Sequence, residues 1–377
     1  MKKLHQTATE RRRMTRNRIY RCLYDTPEGC AKQELADRLG LSLPTVHQNL
    51  SELLRAELVR ADGVRESTGG RPAARLRVAE NARFALGVSV SGNHFRLLAA
   101  NLRLEEIAYR KCDHPRTDDT ACLGRWLAEA TEQFLTDFGL NREKLLGVGI
   151  ALPGVLDAER TRLVSAPTLR LRDPDLRPLA DALPYPCVFR NDATSGGYAE
   201  WFARQDQASI AYLSLEGGVG GAVLLDGAPY AGVNGRSGEF GHICVEPGGL
   251  PCPCGRQGCL EAYCSSARLS TDLGITVEQF FAGLAAGNLA YRTLWGDYLE
   301  HLATGIAAIR MALDCDVVLG GYLAQHLAPY LPELRRLVAR RDPFDDEAAY
   351  VRLGQYPRHA VPLGVALHFI RQFLDQL

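Results

Sequence analysis

Three thiols fall within eight residues of the stretch GLPCPCGRQGCLEAY, which runs from Gly249 to Tyr263: Cys252, Cys254 and Cys259. The glycines and prolines among them forbid a long helix or strand, so the loop must be tied by something other than regular backbone pairing. Three chemistries suit such a cluster: a bound metal ion, a disulfide, or unlinked thiols that happen to lie close. The chain of 377 residues carries eleven cysteines, an odd number that reads poorly as a disulfide framework. Its opening, MKKLHQTATERRRMTRNRIY, is basic but lacks the apolar core of a secretory leader, and no stretch reaches the roughly 18 uninterrupted apolar residues of a membrane span. The expected compartment is a reducing cytoplasm, where a metal site plus separate buried thiols is favoured over cross-links.

What positions the loop is an alternation of buried strands and helices that begins at Phe84. FALGVSVSGNHFRLLAANL reads as two strands around a Ser-Gly-Asn turn, LLGVGIALPG and YPCVFRNDATSGGYAEW as strands ending in polar loops, and SIAYLSLEGGVGGAVLLDG as a glycine-rich hairpin. Helical periodicity covers roughly 118–138, 262–270, 277–286, 288–312 and 360–376. Strands alternating with helices predict α/β layers, and 46% hydrophobic residues suffice for two or three cores.

The first 80 residues differ in charge. They carry 16 Lys or Arg against 10 Asp or Glu, while the remainder carries 28 against 34, so a basic head sits on an acidic body of a chain with zero net charge. Such a head meets an anion, or is merely a solvated face. The stretch AKQELADRLGLSLPTVHQNLSELLRAELVRADG favours the first: Leu35, Leu39, Val46, Leu50 and Leu53 or Leu54 keep helical spacing around the break Gly40-Leu41-Ser42. This is the pattern of a helix-turn-helix, with Ala36 allowing close approach, Gly40 turning the chain, Val46 filling the angle, and Ser42 capping the second helix. Thr45, His47, Gln48 and Ser51 then face outward, where short polar side chains suit base edges in a major groove. A hairpin with strands near Leu58–Arg60 and Ala74–Val78 follows as a wing, and Arg71 in its GGRPA tip suits a minor groove.

The winged helix, GGRPA, LPGVLD, RNDAT, GEFGH and CPCGRQGCLE, in this order, resemble the ROK family of repressors, open reading frames and kinases along essentially the whole chain. The resemblance implies a winged helix-turn-helix over residues 1–80. An actin-like ATPase or sugar-kinase type α/β domain of two lobes would follow over 81–377. It also implies one structural zinc ion per chain, with His242, Cys252, Cys254 and Cys259 as ligands; three sulfurs and one nitrogen match tetrahedral zinc with no open position for catalysis. It further implies a sugar held by Asn191, Asp192, Glu239, His242 and Glu261 beside the Pro153-Gly154 turn, since carboxylates accept two hydroxyl protons each. Plainer roles exist for three of these: Asp192 could cap a helix, Glu261 could support the metal ligands, and Glu239 could be a solvated acid.

Kinases of this fold open their first phosphate loop with a pattern like Asp-x-Gly-Gly-Thr. Here SVSGNH puts Ser89 in place of the aspartate, Ser91 in place of a glycine, and Asn93 and His94 in place of Thr and Lys. The second loop, EGGVGG, places Glu216 where glycine would approach phosphate and Gly217 where threonine would bind it, and the adenosine-side motif is reduced to Gly320-Gly321-Tyr322. Without these anchors phosphoryl transfer loses its positioning, although Asp192, the residue that would serve as base, is retained. The expectation is a sugar-responsive regulator, a repressor without enzymatic activity, acting on operator DNA as a homodimer or homotetramer. Two alternatives stand beside it: an active sugar kinase with a DNA-binding head, and a regulator controlled by a protein partner.

Overall fold

The computed structural model describes residues 7–64, 74–166, 169–171, 174–204 and 208–377. The head opens with helix α1 (Ala8–Tyr24), an element the periodicity reading passed over. Its start carries a reciprocal cap in which the Thr7 side chain accepts from the Glu10 backbone N–H and Glu10 accepts from that of Thr7. Helices α2 (Lys32–Leu39) and α3 (Leu43–Arg55) meet at Gly40, whose φ of 64° is the left-handed conformation that a turn of this kind requires. Leu35, Val46, Leu50 and Leu53 are fully buried with Ile19, Tyr20 and Leu23 of α1, whereas Leu54 is exposed. Strands β1 (Val59–Val64) and β2 (Ala74–Val78) pair antiparallel, with β1 running four residues further than expected.

The body consists of two lobes that repeat one topology. In the first, β3 (Phe84–Val90), β4 (His94–Asn101) and β5 (Glu106–Asp113) form an antiparallel meander, and helix α4 (Thr120–Asp137) leads to β6 (Leu145–Leu152). A small hairpin of β7 (Val155–Leu156) and β8 (Leu163–Ser165), a short helix α5 (Arg177–Asp181) and strand β9 (Cys187–Asn191) complete it. The sheet order is β5-β4-β3-β6-β9, with β6 parallel to both neighbours. After helix α6 (Asp192–Ala203), the second lobe pairs β10 (Ile210–Leu215), β11 (Val219–Leu225) and β12 (Ala228–Pro229) antiparallel. Helices α7 (Leu260–Cys264), α8 (Val277–Ala285) and α9 (Leu289–Leu313) precede β13 (Asp316–Gly320), and helix α10 (Leu331–Ala339) precedes β14 (Val351–Leu353). The order β12-β11-β10-β13-β14 matches the first sheet position for position.

Helix α11 (Ala360–Gln376) returns to the first lobe and packs on β3 and β6 and against α6, which itself lies on β10 and β11. The two helices thus form the seam between the lobes. Helix α11 approaches both neighbours closely: a Cβ on its Gly364 would lie 1.7 Å from the Ser195 carbonyl oxygen of α6, and one on Gly87 of β3 would lie 1.8 Å from that of Pro362 in α11. The head sits on the end of the same helix. Arg16 donates to the Leu377 carbonyl at 2.8 Å, Asn17 to that of Leu374 at 2.6 Å, and Arg21 pairs with Asp375 at 2.7 Å. Among the described residues no helix is long and apolar enough to cross a membrane.

Candidate functional site

The thiol loop is built by two isolated antiparallel bridges, Cys244 with Cys259 and Pro251 with Gln257, so it has more backbone pairing than its sequence suggests. These bring His242, from a turn of 3-10 helix, next to the three cysteines. The four ligand atoms lie within 4.8 Å of one another, with Cys254 Sγ 3.7 Å from Cys259 Sγ and Cys252 Sγ 3.8 Å from His242 Nδ1. A tetrahedron with zinc–sulfur bonds of ~2.3 Å has edges of ~3.8 Å, so donor set and spacing are compatible with zinc. The Arg256 backbone N–H holds the Cys254 thiol below its ordinary pKa, toward the thiolate that binds metal, while burial acts the other way on Cys252 and Cys259.

His242 turns its other face to Glu239, with Nε2 3.9 Å from the carboxylate. The ring therefore lies between the thiol cluster and the Glu239 carboxylate, which is near but beyond hydrogen-bond distance. Across the cleft, Asn191 caps α6 by accepting from the Thr194 N–H at 2.8 Å, and its amide donates to the Gly154 carbonyl at 3.0 Å. Asp192 accepts from the Ala193 N–H at 2.8 Å through one oxygen. Burial, then the charges of Glu216 and Glu239, push its pKa up to about 6, so three carboxylates share this space. Glu261, at the start of α7, accepts from the Val219 N–H at 3.0 Å and ties that helix to the EGGVGG turn.

The turns of SVSGNH and EGGVGG are engaged by their own side chains. Ser91 Oγ lies 2.7 Å from His94 Nδ1, and the Ser91 N–H donates to the His94 carbonyl at 2.9 Å. Glu216 reaches over to Gly320-Gly321-Tyr322 and accepts from the Tyr322 N–H at 3.0 Å. Burial raises its pKa, with the charge of Arg96 on β4 acting against the rise. This contact, a carboxylate accepting from the Tyr322 backbone N–H, was not foreseen from the sequence.

On α3, His47 and Gln48 are exposed, while Thr45 and Ser51 are half-buried and locally engaged. The Thr45 hydroxyl lies 2.8 Å from that of Ser42, and Ser51 donates to the His47 carbonyl at 2.8 Å. Arg71 lies outside the described residues.

A model of the ROK family matches residues 85–366, most of the chain, and a helix-turn-helix domain model matches residues 13–61. The chain belongs to the ROK family. Among its ROK relatives, the xylose repressor of Bacillus subtilis (strain 168) is 28% identical over 246 residues, 64% of this chain and 64% of the repressor, so the match spans just under two thirds of that protein. The glucokinase of Halalkalibacterium halodurans is also 28% identical, over 256 residues, 66% of this chain and 74% of the kinase. A crystal structure of a ROK family transcriptional regulator, a homolog of the E. coli MLC protein, matches with a TM-score of 0.74 at 22% identity over 97% of both chains. At that identity the likeness speaks for the fold, a winged helix-turn-helix joined to the two-lobed sugar-kinase type body. Similarity to a repressor and to a kinase is equal in identity, so the choice between them rests on the site.

Proposed function

We propose that this ROK protein is a DNA-binding transcriptional repressor whose body senses a sugar or sugar derivative and has no kinase activity. The observation that carries the reading is the attachment of a DNA-binding head to the end of α11, the helix that lines the seam between the lobes. A change in the cleft has a mechanical route to the DNA. In this reading Asn191, Asp192, Glu239, His242 and Glu261 grip the sugar hydroxyls, and His47 and Gln48 with Thr45 and Ser51 read operator bases. Arg71 would enter the minor groove. The boundary near residue 80, a homodimer or homotetramer matched to a two-fold operator, and a cytoplasmic location belong to the same proposal.

His242, Cys252, Cys254 and Cys259 would hold one zinc ion. Its chemistry there is structural: four protein ligands leave no open position, and the ion fixes the loop that carries His242 toward Glu239.

The competing reading, an active sugar kinase with a DNA-binding head, is disfavoured by the Glu216 carboxylate bonded to the Tyr322 N–H, which repels a triphosphate. Both are tested together by measuring operator binding with and without a panel of sugars, and Mg-ATP turnover on the same sugars. Operator release by a sugar with background turnover is expected. Turnover of about 1 to 100 per second would overturn the repressor reading.

A further inference from the structure

Outside the cleft, at the edge where β9 of the first lobe faces β12 of the second, lies a cavity of about 200 Å³ walled by Arg160, Arg190, Thr194, Ser195, Tyr198 and His368. Arg160 comes from the β7–β8 hairpin, Arg190 from β9, the hydroxyl residues from α6 and His368 from α11. The Arg190 guanidinium donates to its neighbour's carbonyl, that of Phe189, at 2.9 Å and lies 3.2 Å from His368 Nδ1. Neither Arg160 nor Arg190 forms an ion pair with a carboxylate among the described residues. The charges felt by Arg190 are those of Arg160, which disfavours its proton, and of the Tyr198 phenol. Burial and both arginines together hold the His368 pKa down, at about 4. An adjoining chamber adds Arg371, and its acid, Asp375, is paired with Arg21 of the head at 2.7 Å.

The part-buried Arg190 shares this cavity with Arg160, and among the described residues no carboxylate pairs with either, so an anion entering it would meet two unneutralised guanidiniums. Among the described residues Thr194 Oγ1 has no hydrogen-bond partner, and it can serve as a further donor. The Ser195 hydroxyl is spent on the Asn191 carbonyl at 2.8 Å. We propose that this cavity binds a small phosphate oxyanion, held by Arg160, Arg190 and Thr194, at a site separate from the cleft. The chemistry fits inorganic phosphate and the phosphate group of a phosphorylated metabolite equally, because a guanidinium fork engages two oxygens of either.

The test uses the full chain at constant ionic strength, with isothermal titration of inorganic phosphate in one arm and glycerol 3-phosphate, a phosphorylated metabolite that is not a sugar, in another. Saturable binding with a Kd below about 1 mM is expected in at least one arm, weakened about tenfold or more by Arg160→Gln and by Arg190→Gln. Binding in the first arm identifies inorganic phosphate, and binding in the second alone identifies a phosphorylated metabolite. Arg160 is exposed on a hairpin, so its variant folds even if Arg190→Gln does not. Absence of saturable binding in both arms, or binding unchanged by Arg160→Gln, overturns the proposal; the second result places the anion elsewhere. Neither result depends on a sugar occupying the cleft, so the functional reading above stands or falls separately.

Discussion

A partly buried carboxylate near two others is driven to hold a proton or find donors. Asp192 is in this position, with a pKa raised from 3.8 to about 6 by burial and by Glu216 and Glu239. The folded state therefore binds the proton more tightly than the unfolded chain. The cost is absent below about pH 4, grows between about 4 and 6, and is fully present above. Asp192→Asn keeps the oxygen that accepts from Ala193 and removes the charge, so it should stabilise the free protein near pH 7.5 by about 1–3 kcal/mol, with no gain near pH 4. Thermal melts of both proteins across this range check it. Sugar hydroxyls would donate to the ionised form, so sugar affinity should fall on acidification below about pH 6, and calorimetry at several pH values reads that directly. Glu239→Gln should weaken the sugar response and leave sugar-free operator affinity unchanged, because it alters the cleft and not the head. Unaltered release of DNA by the cognate sugar would remove Glu239 from the site.

At the scale of elements, the seam between α6 and α11 sets the tolerance of the fold. Gly364→Ala would place a methyl carbon inside the contact distance of the Ser195 carbonyl, forcing the helices apart, and a loss of stability of about 1–3 kcal/mol or more is expected in denaturant titration. The thiol loop supports a second expectation: protein purified without added zinc should carry one zinc per chain, and Cys254→Ser should lose it and weaken sugar binding through His242. Metal analysis near zero on folded protein would sink the assignment. Much of this was legible in the sequence. Helical periodicity located α4, α8, α9 and α11 to within a few residues, because each repeats apolar residues at helical spacing along one face. Helix α1 escaped because its apolar residues crowd into its last turns behind a run of arginines, although the Thr7-to-Glu10 cap was a readable start signal. The cysteine spacing announced a cluster and the family resemblance supplied His242 ten residues upstream, but the approach of Glu216 to Tyr322 depends on turns between elements 106 residues apart. The cationic cavity gave no signal at all, since Arg160, Arg190 and His368 are separated by up to two hundred residues.

In the whole molecule, two copies of one five-stranded topology make up the body, and the head rests on α11, the helix that packs on the first sheet and against α6 of the seam. In the proposed function, sugar and DNA would act on a single equilibrium between arrangements of the lobes. Linkage makes the effect reciprocal: operator DNA should weaken sugar binding by the factor by which sugar weakens DNA binding, about 5- to 150-fold for typical couplings. Titrating sugar with and without operator measures both, and unequal factors would require a third linked species. The apolar residues of the head, Ile19, Tyr20, Leu23, Val46 and Leu50, are continuous with Leu98, Leu102, Leu363, Leu367 and Ile370 of the first lobe and α11, whereas the second lobe keeps its own core. A seam drawn along the chain at residue 80 is therefore not the line along which the molecule comes apart. In native-state hydrogen exchange the helices of the head should open together with β4 and α11 as one cooperative unit, and β10, β13 and α9 as another. A head cut free near residue 80 would lose its floor, and its instability in isolation would reflect that lost packing rather than any weakness in the helix-turn-helix itself.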